Sequence, residues 1–133
     1  MRIIRKQYAA PLFILFLLPL MGTALPIDLE KIALAIESGN ANKLSQYFDN
    51  SVEITILKEE EVYSQSQAKM VLKNFFDKHD PSSFEIIHKG SSNKGSEYCI
   101  GTLVANDRSF RTYIYVKQKG ESFRIQEIRF EKD

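Results

Sequence analysis

The sequence predicts an α+β domain in which N-terminal helices pack on a curved antiparallel β-sheet. Three observations carry that prediction. Most apolar residues before Pro81 recur at helical spacing, and those after it recur with a period of two. The extended runs after Pro81 are joined by short segments of turn-forming residues, which specify an antiparallel meander. The composition agrees, since 133 residues with 44% hydrophobic and 26% charged side chains exclude disordered, low-complexity and collagen-like classes. A net charge of +1 leaves no electrostatic footprint for nucleic acid.

The first 24 residues have a different character. Arg2, Arg5 and Lys6 form a basic start, Tyr8–Met21 is almost wholly apolar, and Gly22-Thr23-Ala24 supplies small residues for a signal peptidase. The apolar run is shorter than the about 20 residues that span a bilayer. The expectation is cleavage after Ala24, a domain over 25–133, a periplasmic or secreted location, and no stable membrane anchor after cleavage. The single cysteine, Cys99, lies far from any processing site, which excludes a lipoprotein, and it cannot form an internal disulfide. Its apolar neighbours Tyr98 and Ile100 point to a buried, inert thiol.

The elements follow in order. Asp28 caps a first helix carrying Leu29, Ile32, Ala33 and Ile36, with Ile27 as the hydrophobic staple and Ser38-Gly39 as the stop. Asn40 caps a second short helix in which Leu44, Tyr47 and Phe48 face one way, and Asp49-Asn50 breaks it. Val52, Ile54 and Ile56 alternate with Glu53, Thr55 and Leu57 as a strand; Lys58-Glu59-Glu60-Glu61 reads as a solvated turn before a brief extended piece at Val62-Tyr63. Ser64 and Gln67 make a capping box for a third helix, whose stripe is Ala68, Val71, Leu72, Phe75, Phe76 and His79, and Asp80-Pro81 stops it.

Four strands follow, near 83–90, 96–105, 108–118 and 121–131. The first puts Phe84, Ile86 and His88 on one side; the third puts Phe110, Thr112, Ile114 and Val116 opposite Arg111, Tyr113, Tyr115 and Lys117. In the last, Phe123 and Ile125 share a face with Ile128 and Phe130 only if a one-residue bulge lies near Gln126-Glu127.

Chemistry-bearing residues are sparse. His79 ends a helix, where the dipole favours the imidazolium form, and His88 sits at a strand end. No His, Cys or Asp spacing supplies a third metal ligand, so neither a metal nor another cofactor is expected. Arg108, Arg111, Arg124 and Arg129 are interleaved with aromatics, but acids intervene and the mature chain is slightly acidic, which reads as a solvated face.

The order of helix, short helix, strand, helix and four-strand meander, with Leu44, Tyr47, Phe48, Val52, Phe75–His79 and Phe123–Phe130, resembles the nuclear transport factor two-like superfamily, a cone-shaped α+β fold. The signal with His88-Lys89-Gly90, Ile100–Leu103 and Phe110–Val116 is similar to a family of small exported Bacteroidetes proteins, domain of unknown function 4783. That family implies no established activity. The superfamily implies two alternatives. One is a small isomerase- or dehydratase-like enzyme acting on a small apolar substrate, with a buried acid or base in the cone. The strands expected to face inward offer no ionisable group, which leaves Tyr47, Phe76, His79, His88 and Tyr98 as candidate pocket-lining residues and assigns no catalytic residue. The other, favoured here, is a non-catalytic module that binds a small apolar ligand or a protein, including a possible homodimer through the sheet. The central strands are apolar on both faces, so Tyr113 and Tyr115 are the candidate dimer face.

Overall fold

The computed structural model describes residues 27–92 and 94–133; the segment read as a signal, Met1–Ala24, lies outside the described residues, as does Asn93 of the Ser91–Gly95 turn. The chain runs α1 (Leu29–Glu37), α2 (Ala41–Ser45), β1 (Phe48–Ile56), β2 (Glu59–Ser64), α3 (Gln65–Lys78), β3 (Pro81–Ser92), β4 (Ser96–Ala105), β5 (Arg108–Lys119) and β6 (Ser122–Lys132). The six strands form one sheet in the order β2-β1-β6-β5-β4-β3. All neighbours are antiparallel except β1 and β6, which run parallel.

The helix boundaries follow local chemistry. Asp28 accepts from Lys31 N at 3.3 Å, and α1 ends in a Schellman arrangement, with Gly39 N donating to Ile36 O and Asn40 N to Ala35 O. Gly39 takes a positive φ of 63°, the left-handed conformation that this C-cap requires. Asn40 then caps α2, and the Ser64/Gln67 capping box opens α3.

Two boundaries differ from the sequence reading. The helical spacing of Tyr47 and Phe48 does not continue α2, because Phe48 already pairs with Ile125 of β6 and Tyr47 O accepts from Ile125 N at 2.7 Å. Pairing with a strand 77 positions away overrides a local pattern of three residues. The acidic run is not a turn either. A two-residue turn at Leu57-Lys58 reverses the chain, and Glu59–Glu61 belong to β2, paired with β1. Acidic side chains suit that position, because β2 is an edge strand and charge discourages further pairing there.

The helices cover one face of the sheet. Against them lie Val52 and Ile54 of β1, Phe84 of β3, Cys99 and Leu103 of β4, Phe110, Thr112, Ile114 and Val116 of β5, and Ile125, Ile128 and Phe130 of β6, all buried. Two bulges sort residues between faces. In β6, Tyr115 pairs with Glu127 and Val116 with Ile125, so Gln126 is the extra residue and Ile125 and Ile128 both face inward, as the broken alternation required. In β3, Ile86 pairs with Gly101 and His88 with Ile100, so Ile87 is the extra residue. The consequence is a correction: His88 leaves the Phe84/Ile86 face and stands on the side away from the helices.

Phe75 of α3 anchors the two layers. Its ring stacks on Phe130 at 4.4 Å and meets Phe110 edge-on at 5.3 Å. Phe75→Ala is therefore expected to cost about 3–5 kcal/mol, and Lys73→Ala, on the exposed side of α3, under about 0.5 kcal/mol, measured by urea denaturation.

Asp49 secures the irregular start of β1. It accepts from Gln126 Nε2 at 2.9 Å and pairs with Lys119, and these contacts hold its carboxyl down at about 2. A carboxyl depressed on folding adds stability above its unfolded value, and that stability disappears as pH falls through the folded value. Asp49→Asn should thus lower the urea midpoint at pH 7, and the gap to wild type should close between about pH 4 and pH 2.

Candidate functional site

The residues with chemistry divide between the two faces of the sheet. On the helix side, β1, β2 and α3 enclose a cleft of about 290 Å³ lined by Ile54, Ile56, Glu59, Tyr63, Val71, Asn74, Phe75, Lys78 and His79. Its floor is apolar, from Ile54, Ile56, Val71 and Phe75. Its rim is polar. Tyr63 donates its hydroxyl to Glu61 at 3.1 Å, and burial followed by that hydrogen bond raises its pKa.

His79 closes the far end of this cleft as the C-cap of α3. Its ring lies 5.0 Å from Phe75 and 5.1 Å from Phe110. The expectation of an imidazolium favoured by the helix terminus is reversed. Burial against the two phenyl rings, then the charges of Arg108 and Lys78, lower its pKa, so the neutral form is favoured. Neither ring nitrogen has a hydrogen-bond partner among the described residues.

The other pocket candidates stand elsewhere. Phe76 is buried in the core, 6.3 Å from the Phe130 ring. Tyr47 stacks flat on Phe123 at 5.5 Å, where α2 passes into β1. His88 and Tyr98 share a hydrogen bond of 3.1 Å on the open face, opposite the helices. The five side chains therefore do not line one space, and only His79 reaches the cleft. The cleft residues that the sequence does not single out are Glu59, read as part of a turn, Tyr63, read as a brief extended piece, and Asn74, off the apolar stripe of α3; for the first two the alternation of Glu59, Glu61 and Tyr63 with Glu60 and Val62 is the signal.

The open face is built in rows across the sheet. One row runs His88, Ile100, Tyr113, Arg129, Thr55 and Glu60 from β3 to β2; the next runs Gly90, Tyr98, Tyr115, Glu127, Glu53 and Val62. Tyr98 and Tyr113 rings lie 6.0 Å apart, the Arg129 guanidinium sits 5.4 Å over Tyr113, and Arg129 pairs with Glu127. Gly90 has a reason in this row. A Cβ there would lie 2.3 Å from the Tyr98 ring, so the tyrosine covers bare backbone. Acids crowd the β1–β2 end, where a hydrogen bond to Glu60, burial and the nearby Glu127 together raise the Glu53 pKa.

Among the described residues no three His, Cys, Asp or Glu side chains gather as a metal site. Cys99 is buried, and burial pushes its thiol up to about 11, which makes it a poor nucleophile. No helix among the described residues is long and apolar enough to cross a membrane.

Comparison with known proteins agrees with this architecture. A family described as domain of unknown function (DUF4783) matches residues 29–131. Among solved structures, a family protein from Bacteroides ovatus is 25% identical with a TM-score of 0.75, covering 84% of this chain and 98% of that one. One from Bacteroides uniformis is 25% identical with a TM-score of 0.74, covering 78% and 95%. A nuclear transport factor two-like protein of unknown function from Silicibacter pomeroyi, 15% identical with a TM-score of 0.58 over 77% of this chain and 87% of that one, shares the fold alone. No curated protein matches. The curved sheet, the helix-covered face and the match over nearly the whole described chain place this protein in the DUF4783 family.

Proposed function

We propose that this protein is an exported, non-catalytic assembly module that pairs with a second copy of itself through the open face of its sheet. The observation that carries the reading is the self-complementarity of the rows on that face. A two-fold axis lying along the strands between β5 and β6 exchanges β6 with β5, β1 with β4 and β2 with β3. With levels along the strands preserved, Glu131 of one copy then meets Arg111 of the other, Arg129 meets Tyr113, Thr55 meets Ile100, and Glu60 meets His88. Opposite charges meet at Glu131 and Arg111, a guanidinium meets a ring at Arg129 and Tyr113, and a carboxylate meets a phenol at Glu127 and Tyr115, each pair repeated by the two-fold as an isologous interface requires. The acid crowd at Glu53 and Glu60 gains a partner in the same arrangement.

The face also has the surface that such contact needs. Tyr113 and Tyr115 are half-buried by their neighbours, so their rings are held in place before a partner arrives, and Val62 is 62% exposed. The catalytic alternative lacks support from the side chains. Among the described residues no carboxylate is hydrogen-bonded to His79, and His88 and Tyr98 lie on the other side of the sheet.

Sedimentation at micromolar concentration tests the pairing. Wild type should be dimeric. Tyr115→Glu should weaken association by roughly 30-fold or more while leaving the monomer folded, whereas Ile114→Glu should unfold it. Charge reversal gives a sharper result. Arg111→Glu and Glu131→Arg should each dimerise poorly alone, yet a mixture of the two variants should form a heterodimer, because both two-fold-related contacts then pair opposite charges. A monomeric wild type, or two variants that ignore each other, rejects the interface. Export is tested separately: intact mass of the protein recovered outside the cytoplasm should begin at Leu25, and retention of Met1–Ala24 would overturn that part of the reading.

A further inference from the structure

The cleft on the helix side is left unused by the assembly reading, and its chemistry is lopsided. One wall is acidic, from Glu59 in the lining and Glu61 held by Tyr63. Cations stand at the same end as Glu59. Lys78 lines it, and Arg108 lies beside it with its guanidinium 5.1 Å over the Phe110 ring, the same ring that His79 packs against. Neither cation has a carboxylate partner among the described residues. The adjoining cleft, about 640 Å³, shares Ile56 and Glu59 with the first and adds Lys58, Arg108 and Lys132 against Glu131. Beside these charged groups lies the apolar floor of Ile54, Ile56, Val71 and Phe75.

From this geometry we infer that the cleft binds a small molecule with an apolar body and a single carboxylate, the body on Ile54, Ile56, Val71 and Phe75 and the carboxylate at His79, Lys78 and Arg108. The cations and the His79 ring draw the carboxylate, and the apolar floor takes the body, which sets the orientation. His79 supplies a donor that no protein group occupies, and it sits in a partly desolvated place where a hydrogen bond to an anion is worth more than in water. The volume, at the lower end of the about 300–1,000 Å³ of small-molecule sites, suits a short acyl or aromatic carboxylic acid rather than a long lipid. The site is independent of the open face, since its lining comes from the helix-covered side.

The inference has a thermodynamic signature. The charged groups around His79 are Lys78 on α3, Arg108 on β5 and Glu59 on β2, while the β1 residues in the cleft carry no charge. The two cations now favour the neutral ring; an anion seated between them favours the charged one. Binding must therefore take up a proton at His79, and by linkage the affinity must rise as pH falls towards the His79 pKa.

Octanoate and its neutral counterpart octanol, each titrated into the purified protein and followed by NMR, test this. Octanoate should shift the Ile56, Val71 and Phe75 resonances and move the His79 ring titration upward by about 1 pH unit. Octanol should contact the same apolar residues but leave the His79 titration in place. The double variant Lys78→Gln/Arg108→Gln should bind octanoate about tenfold more weakly and octanol unchanged, which also shows that the variant is folded. Equal affinity for the two probes, an unmoved His79 titration with octanoate, or octanoate shifts confined to residues outside the cleft would each overturn the site. None of these readouts depends on whether the protein dimerises.

Discussion

The rest of the molecule depends on one extra residue in the last strand. A strict alternation through β6 would turn either Ile125 or Ile128 and Phe130 out of the core, and all three are fully buried. The bulge at Gln126 removes the conflict, and the chain uses it twice. It keeps the inward face of β6 continuous beneath Phe75, and the displaced Gln126 side chain reaches Asp49, at the point where β1 slips its own register against β6. The single parallel pairing of the sheet thus begins beside the bulge, held by Asp49, Lys119 and the hydrogen bond from Ile125 N to Tyr47 O. Bulged strands bend, so the same residue that completes the core also curves the sheet around it.

A second bulge does similar work on the other side of the sheet, with a different outcome. By absorbing Ile87, β3 sends Phe84 and Ile86 inward and His88 outward. Glycine permits the close packing on both faces. The Phe84 ring lies where a Cβ on Gly101 would be, at 2.5 Å, and the Tyr98 ring covers Gly90. The two glycines let large aromatic rings lie flat on backbone, one inside the core and one on the open face. Lys89, next to His88 but on the helix side, reaches Glu30 of α1 at 2.9 Å and closes that edge over the core, although so exposed a pair adds little stability.

This sorting gives the protein two chemically distinct surfaces. The open face is a lattice of polar aromatics with charge of both signs. The cleft beside α3 is small, apolar at the floor and lined by groups of both charges. The helix that forms one wall of the cleft also contributes Phe75 to the core, so the cleft is anchored by a ring packed on Phe110 and Phe130.

Local rules sufficed wherever the deciding interaction lies within a few residues of sequence. Asp28, Asn40 and Ser64 cap helices because a side-chain oxygen reaches an amide three positions on, and the sequence displays both partners. The inward set of β5 follows from a period of two, and the β6 bulge follows from the point where that period breaks, since burial admits only one repair. Other features depended on partners remote in sequence. Phe48 became strand rather than helix because Ile125 was there to pair with it, and Glu59–Glu61 became strand because β1 offered a free edge. The face of His88 was decided by a bulge in β3 that no break in apolar alternation marks, for Ile86 and Ile87 are equally apolar. The charge preference of His79 was decided by Phe110 and Arg108, about 30 positions further along the chain, which outweigh the helix terminus beside it. Sequence alone determined which residues are apolar, where helices begin and where the sheet must bend; only the tertiary structure decided which polar groups meet, because that depends on register between strands rather than on order within them.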